Sequence, residues 1–463
     1  MKTIFIRHTR LATALLLAAG MCWSCKKSSL LDEKPSTRLV IPSTLQDFQA
    51  LLDLSSDMNA TPSIGEVNAD NYYLDLADYN GPSVSNAERN VYLWKPVVFE
   101  ASVTNPSWNL PYKQVFNANV VLEGLAKMTA TATNQAEINT IKGYALFYRA
   151  YAFFNVAQVF APMYDSATAA TDMGIPLRLT SDISEKSVRS SVKETYDQVF
   201  ADLAAAEALL PAGVPPVYRN RPSKPAVQAL LARIYLSMRA YTKAATAANN
   251  CLQLYSTLID YNGLSQTASL PFTRYNDETI YQSNFESGSR IFYGVIGVGN
   301  LDSTLFKSYA ANDLRKVIYF RLVNNIPRFK GSYAGATFPF SGLAVDEQYL
   351  IRAECYARAG NATDAMNDLN TLLRKRFSGT YVPLTASSPA DALDKVLTER
   401  RKEMPARGQR LSDLRRLNKE GYTIVPKRVL DNQSYTLPAG SPLYVLPIPA
   451  DVIALTGMPQ NPR

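Results

Sequence analysis

Residues 226–253 and 347–374 align without a gap at an offset of 121 residues, and this internal repeat restricts the fold more than any other feature of the chain. Ala232, Tyr235 and Ala244 fall on Ala353, Tyr356 and Ala365, with Arg239 on Gly360 and Tyr241 on Ala362. A small residue, an aromatic three positions later, a turn and a second small residue is the packing pattern of tetratricopeptide helix pairs. The alanines let two antiparallel helices approach closely, the aromatic fills the space beside them, and Gly360-Asn361 suits the turn. Generic alanine-rich helix pairing would explain either segment alone, but gap-free agreement between two favours a repeat. A weaker third copy uses Ala150 and Phe153 in GYALFYRAYAFF. Such units stack to bury a shared core and act as a scaffold, not as a site of chemistry. The expected fold class is mainly α, a tetratricopeptide-like helix-pair scaffold with few short strands.

Apolar periodicity places helices over about 44–54, 107–127, 134–160, 191–210, 223–238, 241–256, 346–359, 361–377, 388–403 and 409–419. Ser43 and Gln46 read as a capping box for the first of them. Residues 60–106 lack helical periodicity, are rich in Asn, Asp, Gly, Pro and Tyr, and read as loops. The stretch 257–345 shifts to Gly, Ser, Phe and Tyr, with short β-like runs at 279–281 and 290–295. The chain therefore divides into an N-terminal helical part (44–256), a loop-rich insertion (257–345), and a C-terminal helical part with a Pro-rich tail (346–463).

The N-terminus reads as an address. Lys2, Arg7 and Arg10 precede a short apolar core at residues 11–20, too short to span a bilayer, which needs roughly 20 apolar residues. That is a secretory signal. Ser24-Cys25 follows, and the chain turns polar at once with Lys26, Lys27, Ser28 and Ser29. A thiol at this boundary is suited to thioether formation with a diacylglycerol. Cys25 is favoured over Cys22, because Ser24 is a better residue before the cut than Met21. The expected organisation is a leader at 1–24, a lipid-anchored tether at 25–43, and a body at 44–463 held to a membrane through that lipid.

Composition excludes several chemistries. The single histidine, His8, lies in the leader, so the mature chain can build no Ser-His or Cys-His pair and no imidazole metal site. Loss of the three basic and no acidic residues of 1–24 lowers the formal charge from +8 to +5, which does not argue for nucleic acid. No cofactor or metal is expected. Cys251 and Cys355 fall in alanine-rich helical segments and read as small buried residues; the sequence leaves open whether they pair.

Two constellations remain. Glu399, Arg400, Glu403, Arg410, Asp413, Arg415 and Arg416 form a dense charged cluster. Glu399 and Glu403, one helical turn apart, could be a carboxylate pair for glycoside hydrolysis, but arginines that lower carboxylate pKa values disfavour a general acid. An ion-pair network is the better reading. The loop at 68–94 carries Asp70, Asn71, Tyr72, Tyr73, Asp75, Tyr79, Asn80 and Trp94. Carbohydrate recognition needs flat aromatic faces together with carboxylates and amides, and this loop has both. About half of its aromatics are expected to pack the loop onto the helices. Tyr275, Phe292 and Tyr293 join the candidate site if the fold brings them near.

These residues, in order, resemble the SusD/RagB outer-membrane nutrient-binding lipoproteins of Bacteroidetes. The likeness runs from Ser24-Cys25, Leu31-Asp32 and Pro35 through Trp108, Tyr112, Asn119, Gly143, Arg149-Ala150 and Phe153-Phe154. It continues with Asp313, Arg315, Ala353-Glu354, Gly360 and Ala365, then Glu399-Arg400, Glu403, Gly408, Arg410, Asp413-Leu414 and Arg416. It ends with Leu446-Pro447-Ile448-Pro449 and Gln460-Asn461-Pro462. The resemblance implies a non-enzymatic lipoprotein at the outer membrane, facing the cell surface. It implies capture of oligosaccharides, or in some members peptides, and delivery to a SusC-like TonB-dependent transporter.

Overall fold

Apolar and polar runs of helical period give helices over Leu45–Leu52 (α1), Asn86–Tyr92 (α2), Pro106–Ala126 (α3), Gln135–Phe160 (α4), Val192–Leu209 (α5) and Lys224–Ser237 (α6). They continue with Tyr241–Leu254 (α7), Val345–Arg358 (α8), Ala362–Leu373 (α9), Pro389–Glu403 (α10), Arg410–Lys419 (α11) and Ala450–Thr456 (α12). The structure is a computed structural model that describes residues 42–100, 104–292 and 296–463. The leader, Cys25 and Tyr293 lie outside the described residues. Among the described residues no helix is long and apolar enough to cross a membrane. Thr44–Arg463 forms one compact unit.

Side-chain caps start several of these helices. Ser191 and Glu194 form a capping box at α5, and Ser388 accepts from Asp391 N–H at α10. At α1 the box is built by Thr44 and Asp47, one residue beyond the expected Ser43–Gln46 pair. α9 stops at Leu373, short of 377, because the chain turns to send Arg376 into a buried charge network.

Helices stack as neighbours: α3 on α4, α4 on α5, α6 on α7, α7 on α8, and α8 on both α9 and α10. Ala232, Ala244, Ala353 and Ala365 are all fully buried where the paired helices meet, as the repeat requires. Tyr235 stacks on Phe200 of α5 with ring centroids 5.1 Å apart. Ala150 and Phe153 of α4 are equally buried, yet α4 reaches α5 through the long connection 161–191 and not through a tight turn. Cys251 and Cys355 are buried free thiols; Cys251 donates to Pro225 O at 3.4 Å, and burial pushes the Cys355 thiol up to about 12.

Strands are short: Ala60–Thr61 (β1), Tyr72–Tyr73 (β2), Met173–Pro176 (β3), Arg189–Ser191 (β4), Thr279–Tyr281 (β5), Asn284–Phe285 (β6) and Asn300–Leu301 (β7). Phe320–Val323 (β8), Ile326–Phe329 (β9), Leu343–Ala344 (β10), Lys427–Leu430 (β11) and Gln433–Thr436 (β12) complete them. The run at 279–281 is a strand as expected, whereas 290–292 is not, and 293–295 lies outside the described residues. The two irregular segments converge. β1 pairs in parallel with β6, and β2 forms one edge of a four-stranded sheet of order β2-β7-β9-β8. β8 and β9 are joined by Asn324-Asn325, both at positive φ (51° and 64°), the requirement of a type I′ hairpin turn. Within 60–106, read above as loops, Ile64–Val67, Leu76–Asn80 and α2 are helical. They are too short for apolar periodicity to show, and Asp75 and Ser85 start two of them by capping.

Charge joins the insertion to the C-terminal helices. Arg315 is fully buried and donates to Asp313 at 2.7 Å, Glu399 at 2.5 Å and Glu403 at 2.9 Å. Arg376 donates to Glu403 at 2.7 Å and Glu278 at 2.5 Å, with its guanidinium 4.0 Å from the Tyr261 ring. Arg407 donates to Asp346 at 2.9 Å, and Lys402 to Glu399 at 2.8 Å. Beside this group, Asp413 receives Arg400 and Arg416, each at 2.9 Å, and Arg416 also donates to Glu354 at 2.8 Å. The expected ion-pair network is therefore present.

Removing one partner from such a network leaves a buried charge uncompensated. Glu403→Ala, which takes one carboxylate partner from both Arg315 and Arg376, is expected to destabilise the protein by about 3–5 kcal/mol, read as a lower denaturant midpoint. A midpoint equal to that of the parent would contradict the role given to Glu403. Burial, with the nearby acids Asp346 and Glu403, holds Glu278 up at about 7 against the pull of Arg376. Burial likewise holds Glu66 up at about 7, from an ordinary value of 4.5. Across that window the folded protein keeps protons that the unfolded chain has lost, so stability falls as pH rises. The melting temperature is expected to drop by at least about 2 °C from about pH 5.5 to about pH 8, and Glu278→Gln should flatten that slope. A rise in melting temperature over the same interval would refute this assignment.

Candidate functional site

Arg428, on β11, decides which of the loop's aromatics face inward. It is buried, and its Nη2 donates to Val67 O at 2.8 Å and Ala69 O at 2.5 Å. Its guanidinium lies 3.9 Å from the Tyr92 ring centroid, 4.7 Å from Trp94 and 5.1 Å from Tyr72. A desolvated guanidinium among three aromatic rings is held by cation–π attraction. Trp94 is consequently buried, at a positive φ of 53°, with its indole N–H donating to Asn68 O at 3.3 Å. Tyr72 is buried edge-on against Phe292 at 4.4 Å, and its hydroxyl donates to Val67 O at 2.7 Å. Tyr79 is buried beside Tyr92.

The polar members of the loop divide in the same way. Arg410 grips Asp70 with two hydrogen bonds of 2.6 and 2.8 Å. Burial opposes ionisation of Asp70, but Arg410 outweighs it and brings the carboxyl down to about 2. Asn71 is buried and accepts from Arg401 Nε at 2.9 Å. Tyr72, Tyr79 and Trp94 are thus buried, and Asp70 and Asn71 are held by arginines, so these five residues hold the loop in place. Tyr73, Asp75 and Asn80 are exposed. Asp75 also accepts from Asp78 N–H at 2.8 Å, capping Leu76–Asn80. Tyr275 stands apart from this loop, with its hydroxyl donating to Asn220 Oδ1 at 3.0 Å.

Pairing across the sheet puts Tyr73, Asn300, Arg328 and Arg321 in one row. Residues directly opposite each other on paired strands share a face. Arg328 donates to Asn300 Oδ1 at 2.8 Å and to Asp78 Oδ2 at 2.6 Å. Sequence reasoning missed this row, although Asn324-Asn325 between FRLV and IPRF is a hairpin signal.

The same two segments enclose a cleft of about 340 Å³. Its lining includes Ser85, Asn86, Phe99, Glu100, Asn105 and Glu286. Glu286 is buried at its base and accepts from Ser63 N–H (3.1 Å), Ser63 Oγ (2.6 Å), Ser107 Oγ (2.6 Å) and Gly288 N–H, binding three stretches of chain together. Asn86 and Glu100 are exposed at the cleft, joined by a hydrogen bond of 2.8 Å from Asn86 Nδ2 to Glu100 Oε1. Nothing in the sequence marks these residues, because Ser, Asn and Glu at such spacings are ordinary loop composition. Hydroxyl, amide and carboxylate groups beside the apolar Phe99 can both donate and accept, which is what a sugar's hydroxyls and C–H groups demand. A cleft of about 390 Å³ also lies between β4 and Thr456–Pro459, but no aromatic ring lines it.

Two other carboxylate groups among the described residues are already engaged. Glu399 and Glu403 are clamped by Arg315, Lys402 and Arg376, so the pair has no acid/base access to a ligand. Carboxylate oxygens of Glu278, Asp346 and Glu403 lie within 4.8 Å of one another, yet each is already hydrogen-bonded to Arg376 or Arg407.

No curated protein sequence is similar to the chain. Solved structures are. A SusD superfamily protein from Bacteroides thetaiotaomicron matches with a TM-score of 0.72 at 21% identity, covering 91% of this chain and 100% of that one. The surface glycan-binding protein A of Bacteroides uniformis matches with a TM-score of 0.68 at 16% identity over 90% and 99%. A laminarin-binding SusD-like protein matches with a TM-score of 0.64 at 17% identity over 90% and 97%. At these identities the likeness establishes the shared fold. Family models add more: residues 29–236 match the family described as starch-binding and associating with the outer membrane, and residues 343–463 match the SusD family. With both of its helical parts matched in order, the chain belongs to the SusD/RagB family of non-enzymatic binding proteins.

Proposed function

We propose that the protein captures oligosaccharides on its irregular portion, without turnover, and passes them to a SusC-like TonB-dependent transporter. It does so from the outer membrane, held by a lipid on Cys25 and facing the cell surface. The observation that carries this reading is the convergence of 63–107 and 284–329 into one polar cleft and one sheet row, outside the helical scaffold. Asn86 and Glu100 supply hydrogen bonds to sugar hydroxyls, and the exposed Tyr73 supplies a ring face. Family membership and the glycan-binding descriptions of its structural neighbours point the same way.

Titration of residues 26–463 with laminarin and malto-oligosaccharides, with a peptide panel alongside, tests the assignment. Loss of two hydrogen-bonding groups from a partly desolvated site amounts to about 1–3 kcal/mol, so Asn86→Ala/Glu100→Ala should bind at least about ten-fold more weakly at unchanged melting temperature. Tyr73→Ala should weaken binding by a smaller factor. Parent-like affinity in both variants would remove the cleft from the site, and binding of peptides alone would replace the glycan reading.

A further inference from the structure

Tyr275 belongs with a second group of side chains that shares no residue with the cleft. Its hydroxyl donates to Asn220 Oδ1 at 3.0 Å, and Arg274 lies 4.6 Å from its ring centroid. Two residues before Asn220, Tyr218 is 54% exposed, with the Arg221 guanidinium 4.8 Å from its ring. Arg221 is fixed in turn by Asp53, the residue that ends α1, through bonds of 2.9 and 2.6 Å, and Gln49 donates to the same carboxylate at 2.9 Å. Arg221 N–H donates to Tyr218 O at 2.9 Å, closing the turn that carries Tyr218, Asn220 and Arg221, so the bond from Tyr275 to Asn220 ties the second tyrosine to the same turn.

The backbone is held in an unfavourable state to make this arrangement. Tyr275 has φ of 59°, in the left-handed region that a bulky side chain avoids, and strain of this kind collects where a fixed side-chain direction is needed. Behind it, Gly335 (φ 62°) allows the 331–335 stretch to press against Arg274; a Cβ there would sit 2.2 Å from the Arg274 nitrogen.

We propose that Tyr218 and Tyr275, with the Asp53–Arg221 pair beside Tyr218, form a second saccharide-binding platform. An arginine beside each ring restricts its motion, so little conformational freedom remains to be lost when a flat sugar face stacks on it. The adjacent carboxylate and guanidinium present an acceptor and donors side by side, matching neighbouring hydroxyls on one sugar ring. Val217 and Leu54, which adjoin Tyr218 and Asp53 in the chain, are exposed aliphatic residues, but two such side chains are far less apolar area than the core of a protein interface requires. Two platforms on one tethered protein would hold a long polysaccharide by two points, raising its apparent affinity without changing that for a short oligosaccharide at the cleft.

This inference rests on the glycan reading, and affinity electrophoresis in laminarin gels, paired with titration by a short laminari-oligosaccharide, separates the two. Tyr218→Ala/Tyr275→Ala should weaken retention by the polysaccharide at least about five-fold, leave tight oligosaccharide binding at the cleft intact, and reduce the total stoichiometry from two to one. Tyr218→Phe, which keeps the ring, should retain the parent behaviour. Unchanged polysaccharide retention in the double variant, with the Asn86→Ala/Glu100→Ala variant impaired, would overturn the second platform while leaving the cleft in place. Absence of binding by the parent protein to either probe would overturn both.

Discussion

Glu403 receives two arginines that come from different parts of the chain, and the assembly of the molecule turns on that junction. Arg315 rises from the loop-rich insertion and Arg376 from just beyond α9, while Glu403 closes α10. Glu278 and Tyr333 extend the contact into the insertion, and Asp346 with Arg407 extends it to the start of α8. Charges buried at this depth are tolerable only because every member finds an opposite charge with good geometry. The network thereby fixes one placement of the insertion on the helical scaffold, which apolar contact alone would specify less sharply.

Arg428 does for the other irregular segment what Glu403 does for the insertion. Its guanidinium takes up the faces of Tyr72, Tyr92 and Trp94, and Arg410 takes up Asp70. A segment with few regular backbone ladders is thus pinned by a small number of arginines reaching out from 401–428. What remains exposed on its surface includes Tyr73, Asn80, Asn86 and Glu100, with Asp75 exposed but used as a helix cap. That division between pinned and free residues is what a binding portion on a shared scaffold needs.

The helical scaffold was legible because its determinants are local and repeated. Alanine at 232, 244, 353 and 365 and caps such as Ser191 and Ser388 announce helix pairs without knowledge of the rest of the chain. The candidate site was legible only as a region. Composition drew attention to 68–94, but it cannot distinguish an aromatic that meets a ligand from one that meets Arg428, more than three hundred residues away. The row from Tyr73 to Arg321 and the cleft at Glu286 depend on strand pairings and hydrogen bonds between distant segments. No local pattern encodes those. The charged cluster at 399–416 lay between the two cases: its ion pairing followed from the density of arginines, its partners in the insertion did not.

Hydrogen–deuterium exchange of residues 26–463 with and without laminarin tests most directly whether ligand is held on the irregular portion. Protection is expected in peptides from 63–100 and 284–292, around the cleft and the strands beside it, with the paired helices at 224–254 and 345–373 unchanged. Protection confined to those helix pairs, with 63–100 and 284–292 unaltered, would contradict the division of the molecule into a scaffold and a binding portion.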